Sequence, residues 1–254
     1  AGRDAYWMAE AARLLEVQGA RMIDINMGCP AKKVTGGLSG SALLRDHDHA
    51  LRLIEAVVGA VSIPVTLKTR LGWDDDSRDT AALAVRAEAA GIRMLVLHGR
   101  TRCQFYKGQA DWAGIRPVVD AVTIPVLANG DITDSASARA ALAVSGAAGV
   151  MVGRGIQGRP WTCAVIAAAL GHGSAPTIPS GDLLADLVRD HYDDILDFYG
   201  PDLGGRVARK HLGWYMDGSG TSPTLRRAIL TAPPDIVPAR LPEALAPPTQ
   251  ARAA

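Results

Sequence analysis

Cysteine is scarce in this sequence: Cys29, Cys103 and Cys163 lie far apart, with no Cys-x-x-Cys pair. That count argues against a disulfide framework and fits a reducing, cytoplasmic setting. No apolar run reaches the 18 or so residues of a membrane span, so none is expected, and no signal peptide is recognisable. Histidine, cysteine and carboxylates nowhere cluster at metal-ligand spacing, so no metal site is expected. Charge of one sign is missing too: 27 Lys and Arg offset 26 Asp and Glu, leaving a net charge of +1. A nucleic-acid partner must then be met by local basic patches and not by bulk charge. The chain opens Ala1-Gly2-Arg3, without methionine and already at a helix start, and is expected to be the later part of a longer protein.

What is there alternates. Helical periodicity over 4–18, 41–58, 80–90, 113–121 and 135–144 separates apolar, β-branched runs at 22–25, 63–69, 94–98, 124–129 and 149–153. Strands are entered either through helix–Gly–small residue (Gly19-Ala20, Gly91-Ile92, Gly146-Ala147) or through Ser/Thr-Ile-Pro-Val (62–65, 123–126), a repeat of paired βα units. Such runs predict a parallel sheet covered on both faces. Almost every strand ends in a polar residue: Asn26, Lys68, His98, Asn129, Arg154. A closed (β/α)₈ TIM barrel gathers all its strand ends at one mouth, whereas an open sheet uses only its switch point. The barrel is therefore favoured, with its first three strands missing from this chain. Three parts are expected: a partial barrel over 1–170, an all-helical C-terminal domain over 180–231 after a Gly/Pro/Ser linker, and a Pro/Ala-rich disordered tail over 232–254.

Chemistry concentrates at the strand ends. Cys29 sits in Asn26-Met27-Gly28-Cys29-Pro30, followed by Lys32 and Lys33. A lone cysteine is usually a small buried apolar residue. Here a rigid turn and two cations surround it, and with no partner histidine in sight a proton donor is the better role than a nucleophile. Lys68 either snorkels to water or provides a fixed cation for developing negative charge, such as the N1–C2=O edge of a reduced flavin. His98-Gly99-Arg100-Thr101-Arg102 opens a basic loop suited to a phosphate or an anionic ring. Asn129-Gly130-Asp131 and Gly153-Arg154-Gly155, on consecutive strand ends, suit a phosphate-bearing cofactor. Further on, Arg206, Arg209 and Lys210 share one helix face before Trp214 and Tyr215. They either pair with the acidic helix preceding them or meet a phosphate backbone and stacked bases.

With these motifs in order from about Asp4 to Tyr215, the chain resembles the bacterial tRNA-dihydrouridine synthases, specifically their B-type branch. The resemblance implies an FMN-dependent barrel with a helical tRNA-binding domain. It implies reduction of the C5–C6 double bond of particular tRNA uridines, with NADPH as reductant and Cys29 protonating C5. Matched by motif, Lys68, His98, Asn129, Gly130, Asp131, Gly153 and Arg154 contact FMN, and Asn26 holds the uracil. Lys32, Lys33, Arg100, Arg102, Arg206, Arg209 and Lys210 face tRNA, and a monomer is expected. The chain departs at Gly36-Gly37, where a basic residue often follows the lysine pair. Two other readings stay open: an FMN-dependent reductase or dehydrogenase of a free pyrimidine such as dihydroorotate, and a non-catalytic RNA-binding remnant.

Overall fold

Five short strands pair in parallel, strictly in chain order: β1 (Ile23–Asn26), β2 (Val65–Arg70), β3 (Leu95–His98), β4 (Val126–Asn129) and β5 (Gly149–Met151). The computed structural model describes residues 1–246 and divides after Gly153 into two units. In the first unit the helices are α1 (Ala5–Val17), α2 (Lys32–Thr35), α3 (His47–Val58), α4 (Thr80–Ala89), α5 (Arg116–Ala121) and α6 (Ser135–Ser145). Leaving aside the short α2, each touches the next, α1 with α3, α3 with α4, α4 with α5 and α5 with α6, so they form one layer on one face of the sheet. Sequential strand order with helices on a single side is barrel winding; a doubly wound sheet reverses order and covers both faces.

Register sorts the side chains. Asp24 lies beside Thr66 and Asn26 beside Lys68, while Arg70, His98, Asn129 and Met151 form one continuous row. Residues paired across strands point the same way. One face thus gathers the polar residues, with Val96, Leu127 and Met151 among them, and the other carries Ile25, Leu67, Leu97 and Ala128, all buried beneath the helices.

The Ile-Pro-Val repeat has a repeated cause. An oxygen of Glu16, near the end of α1, accepts hydrogen bonds from the Ser62 and Ile63 backbone N–H groups at 2.9 and 3.2 Å. Glu88 does the same for Thr123 and Ile124 at 2.9 and 3.1 Å. The prolines complete the pattern, since Pro64 O accepts from Ile23 N and Pro125 O from Leu95 N. The expected helix over 41–58 is split at Asp46, which leaves helical geometry (φ −147°) to cap α3 through the His49 N–H. A 3₁₀ segment, Gly40–Arg45, precedes it.

The second unit contains α7 (Thr162–Ala169), α8 (Asp182–Tyr199), α9 (Pro201–Ser219), α10 (Pro223–Thr231) and α11 (Val237–Leu245). The expected boundary near residue 170 falls earlier because Trp161, just ahead of α7, packs on the helical core of Leu184, Val188, Tyr192, Leu212 and Met216. α8 and α9 approach closely at Gly204, where a Cβ would lie 2.9 Å from the Ile195 carbonyl oxygen. The expected disordered tail is corrected over its first part: Val237, Leu241, Ala244 and Leu245 repeat at helical spacing and are buried. Prolines masked that periodicity, but Pro238 sits in the first turn, where its missing N–H costs nothing. The remainder of the tail, 247–254, lies outside the described residues.

Leu241→Ala is expected to lower the unfolding free energy in urea titrations by about 2–5 kcal/mol, the cost of a buried cavity. A segment without structure would show almost no change.

Candidate active site and basic surfaces

The turn after β1 is held from several sides. The side-chain oxygen of Asn26 accepts from the N–H groups of Gly28 (3.0 Å) and Cys29 (3.1 Å), so the carboxamide builds the turn itself. Asn26 was expected to hold uracil; that oxygen is committed to the backbone. The Gly28 carbonyl accepts from Nε of Arg70 at 2.7 Å, and the Cys29 carbonyl accepts from the hydroxyl and N–H of Ser41 at 2.8 and 3.1 Å. Gly40, at φ +60°, closes beneath: a Cβ there would lie 2.9 Å from the Cys29 carbonyl oxygen and 3.2 Å from its Cβ. Cys29 itself is half-buried, with a free thiol.

Beyond the turn lies a concentration of cations. Burial, then the neighbouring charge of Arg70, lowers the Lys68 pKa below its usual value, while Asp24 opposes that shift. Arg70 is only 2% exposed and donates through Nη1 to the carbonyls of Thr101 and Phe105 at 3.0 and 2.9 Å. Its guanidinium also lies 5.5 Å from the Tyr106 ring centroid. Burial, followed by the charges of Arg70, Lys68 and Arg100, pushes His98 down from 6.5 to about 3, so the imidazole is neutral at physiological pH. Gly130 (φ +111°) packs on that ring, where a Cβ would sit 2.6 Å from Cδ2. Asn129 donates to the Met151 carbonyl at 2.9 Å.

Arg100 and Asp131 depart from expectation. Arg100 is 1% exposed and chelates Asp131 through Nη1 and Nη2 at 3.0 and 2.6 Å. Its other donors reach the carbonyls of Lys107 (3.0 Å) and Gly108 (2.5 Å), and Nη1 lies 3.5 Å from His98 Nε2. Asp131 also accepts from Ala110 N at 2.7 Å. A guanidinium so enclosed cannot reach an external phosphate, so the expected tRNA role of Arg100 is corrected to shaping the 107–110 loop. Asp131 is engaged in the same clamp.

The other candidates are scattered over surfaces. Lys32 and Lys33 are exposed on α2, and Arg102 is half-exposed. Gly153 ends the first unit with open space where a Cβ would stand, and Arg154 opens the second unit, exposed. Arg206, Arg209 and Lys210 are exposed on α9, and no ion pair engages them among the described residues, so pairing with acidic α8 does not occur. Arg206 and Arg209 border a cleft of about 360 Å³ with Tyr192, Leu212 and Pro234. Tyr215, expected to stack on bases, is 5% exposed within the helical core, its hydroxyl 3.3 Å from His191 Nδ1. Among the described residues no group of three or more His, Cys, Asp or Glu could hold a metal ion.

Arg70, Ser41 and Tyr106 escaped the sequence reading. Arg70 left one trace: it stands two residues after Lys68 and so shares its face.

A half-buried cysteine on a braced turn, at the strand ends of a barrel-wound sheet and beside buried cations and a neutral imidazole, marks the candidate active site. The dihydrouridine synthase (Dus) family model matches residues 1–233. The chain is 66% identical over 219 residues to a Rhodobacter capsulatus protein named "Probable tRNA-dihydrouridine synthase", covering 86% of this chain and 68% of that one. A Rickettsia conorii protein of the same name is 51% identical over 229 residues, 90% of this chain and 69% of that one. The tRNA-dihydrouridine synthase B of Vibrio cholerae is 48% identical over 228 residues, 89% of this chain and 70% of its own length. This chain belongs to the dihydrouridine synthase family.

The depressed His98 pKa has a thermodynamic consequence. Between about pH 6.5 and 3 the unfolded chain takes up a proton that the folded chain refuses, so stability falls as the medium is acidified through that window. At and above neutral pH the effect vanishes. His98→Asn is expected to flatten the acid limb of the stability curve, by up to about 1.4 kcal/mol per pH unit. Equal slopes for the two proteins would show a protonated imidazole in the fold.

Proposed function

We propose that this protein is a tRNA-dihydrouridine synthase that reduces the C5–C6 double bond of specific uridines in tRNA, using FMN and NADPH. The observation that carries the reading is the bracing of Cys29: its own N–H and carbonyl and those of Gly28 all have partners, while the thiol is left without one. A structural cysteine needs no such fixation.

The residues present fit a flavin. A half-buried Lys68 suits the edge of the ring system where negative charge collects on reduction. His98, neutral, offers a hydrogen bond without adding charge. Gly130, Asn129 and, by family motif, Gly153 are the remaining proposed contacts within the first unit, with Asp131 holding its loop in place. When bound, FMN supplies the hydride for C6 of uracil, with NADPH as the source of electrons.

The chain's own residues do the rest. Cys29 gives its proton to C5, and the sulfur is left as a thiolate. Arg70, bonded to the carbonyl just before Cys29, stabilises that anion from a position fixed by three carbonyls. The uridine must leave its stack to reach the site. Lys32, Lys33 and Arg102 face the strand carrying that uridine, while Arg206, Arg209 and Lys210 offer the helical unit's own phosphate-binding surface. A reductase of free pyrimidines needs none of these unpaired cations. The protein acts as a monomer in the cytoplasm, where its substrate is found; no described helix is long and apolar enough to cross a membrane.

Cys29→Ala is expected to retain the flavin absorbance of the wild-type protein while losing dihydrouridine formation on tRNA by about 10²-fold or more, the usual worth of a positioned general acid. Undiminished turnover on tRNA would refute the assignment.

A further inference from the structure

Three loops meet at Trp73. The 72–73 segment after β2 pairs with the 102–103 segment after β3, since Gly72 O accepts from Arg102 N (2.9 Å) and Trp73 O from Cys103 N (2.8 Å). The guanidinium of Arg102 lies 4.6 Å from the Trp73 ring centroid, and that of Arg45, at the end of the loop that begins with Cys29, lies 4.9 Å from it. Arg102 also reaches that loop directly, donating to the Thr35 hydroxyl at 3.4 Å.

Among the described residues neither arginine has a counter-ion: the Arg45 side chain makes no hydrogen bond or ion pair, and Nε of Arg102 is buried with no acceptor. Acidic residues are adjacent in sequence, yet Asp46, Asp74 and Asp75 are turned elsewhere. Asp46 caps α3 (2.9 Å to His49 N), Asp74 binds Ser77 (2.6 Å to its hydroxyl) and Asp75 pairs with Arg78 at 2.9 Å. Two like charges on one indole repel, and a stacked guanidinium keeps its N–H edge free for an oxyanion. An anion held at the exposed Arg45 offsets that repulsion.

We propose that Arg45 and Arg102, held on Trp73, form a phosphodiester-binding site for the tRNA strand beside the target uridine. The proposal rests on the reading of the protein as a tRNA enzyme and assigns Arg45 and Trp73 a role that the motif reading did not. Trp73 orients the pair, and the site lies on the Cys29 loop itself. Occupancy by RNA therefore ties the catalytic loop to the β2 and β3 loops as the substrate arrives.

The test is Arg45→Gln, an exposed position whose loss leaves the Arg102–Trp73 stack in place. The expected result is weaker tRNA binding, with the slope of log affinity against log salt reduced by about 0.7–0.9, one phosphate contact. The KM for tRNA should rise with kcat preserved, Arg45→Lys should recover part of the slope, and NADPH should reduce the flavin at the wild-type rate without tRNA. An unchanged affinity and slope overturns the proposal, and so does weaker binding with an unchanged slope, which marks a packing role. Slower flavin reduction with tRNA binding intact also overturns it, by giving the site to the dinucleotide's phosphates. A wild-type protein that neither bound nor modified tRNA would instead sink the functional reading itself.

Discussion

Arg70 is the joint on which the site turns. Its Nε holds the carbonyl before Cys29, and its Nη1 holds two carbonyls of the β3 loop, so one buried guanidinium links segments far apart in sequence. Taking a charge out of water costs several kcal/mol unless hydrogen bonds satisfy it. Here backbone oxygens and the Tyr106 ring meet the cation without neutralising it. A lysine could match the charge but not the fork, since an ammonium cannot address three divergent oxygens from one plane. The positive charge therefore survives as a usable field next to the thiol.

That field explains the neighbours. His98 lies among Arg70, Lys68 and Arg100 and stays neutral because a further proton would be buried among cations. Arg100 is tolerated there because Asp131 takes both of its terminal nitrogens. Lys68 has only the more distant influence of Asp24 and is left as the open cation of the face. Buried charges here are thus divided between one that is cancelled to build a loop and others that are kept for a ligand.

Much of this was legible in the sequence, because local pattern and local cause coincide there. The strand ends, the Cys29 turn and the α8–α9 hairpin followed from periodicity and from Gly/Pro punctuation. Arg100 and Tyr215 were misread for one reason: side-chain type predicts what a residue can bind, and only the fold reveals what it is already bound to. Arg100 looked like part of a basic loop until Asp131, distant in sequence, was brought against it. Arg70 stood at the end of its strand with no local sign of the carbonyls that would converge on it. α11 was hidden because composition outweighed four apolar residues whose spacing mattered only against the helical core.

The two glutamates that receive the Ile-Pro-Val segments lie at the opposite end of the sheet from Cys29. Each locks the entry of one strand to the helix that leads into the strand before it, Glu16 of α1 to β2 and Glu88 of α4 to β4. Alignment is settled there, before the chain reaches the loops where chemistry is done. Mutational drift in those loops can then retune substrate choice without shifting the hydrophobic pleat, a division of labour that makes each strand–helix pair an exchangeable module.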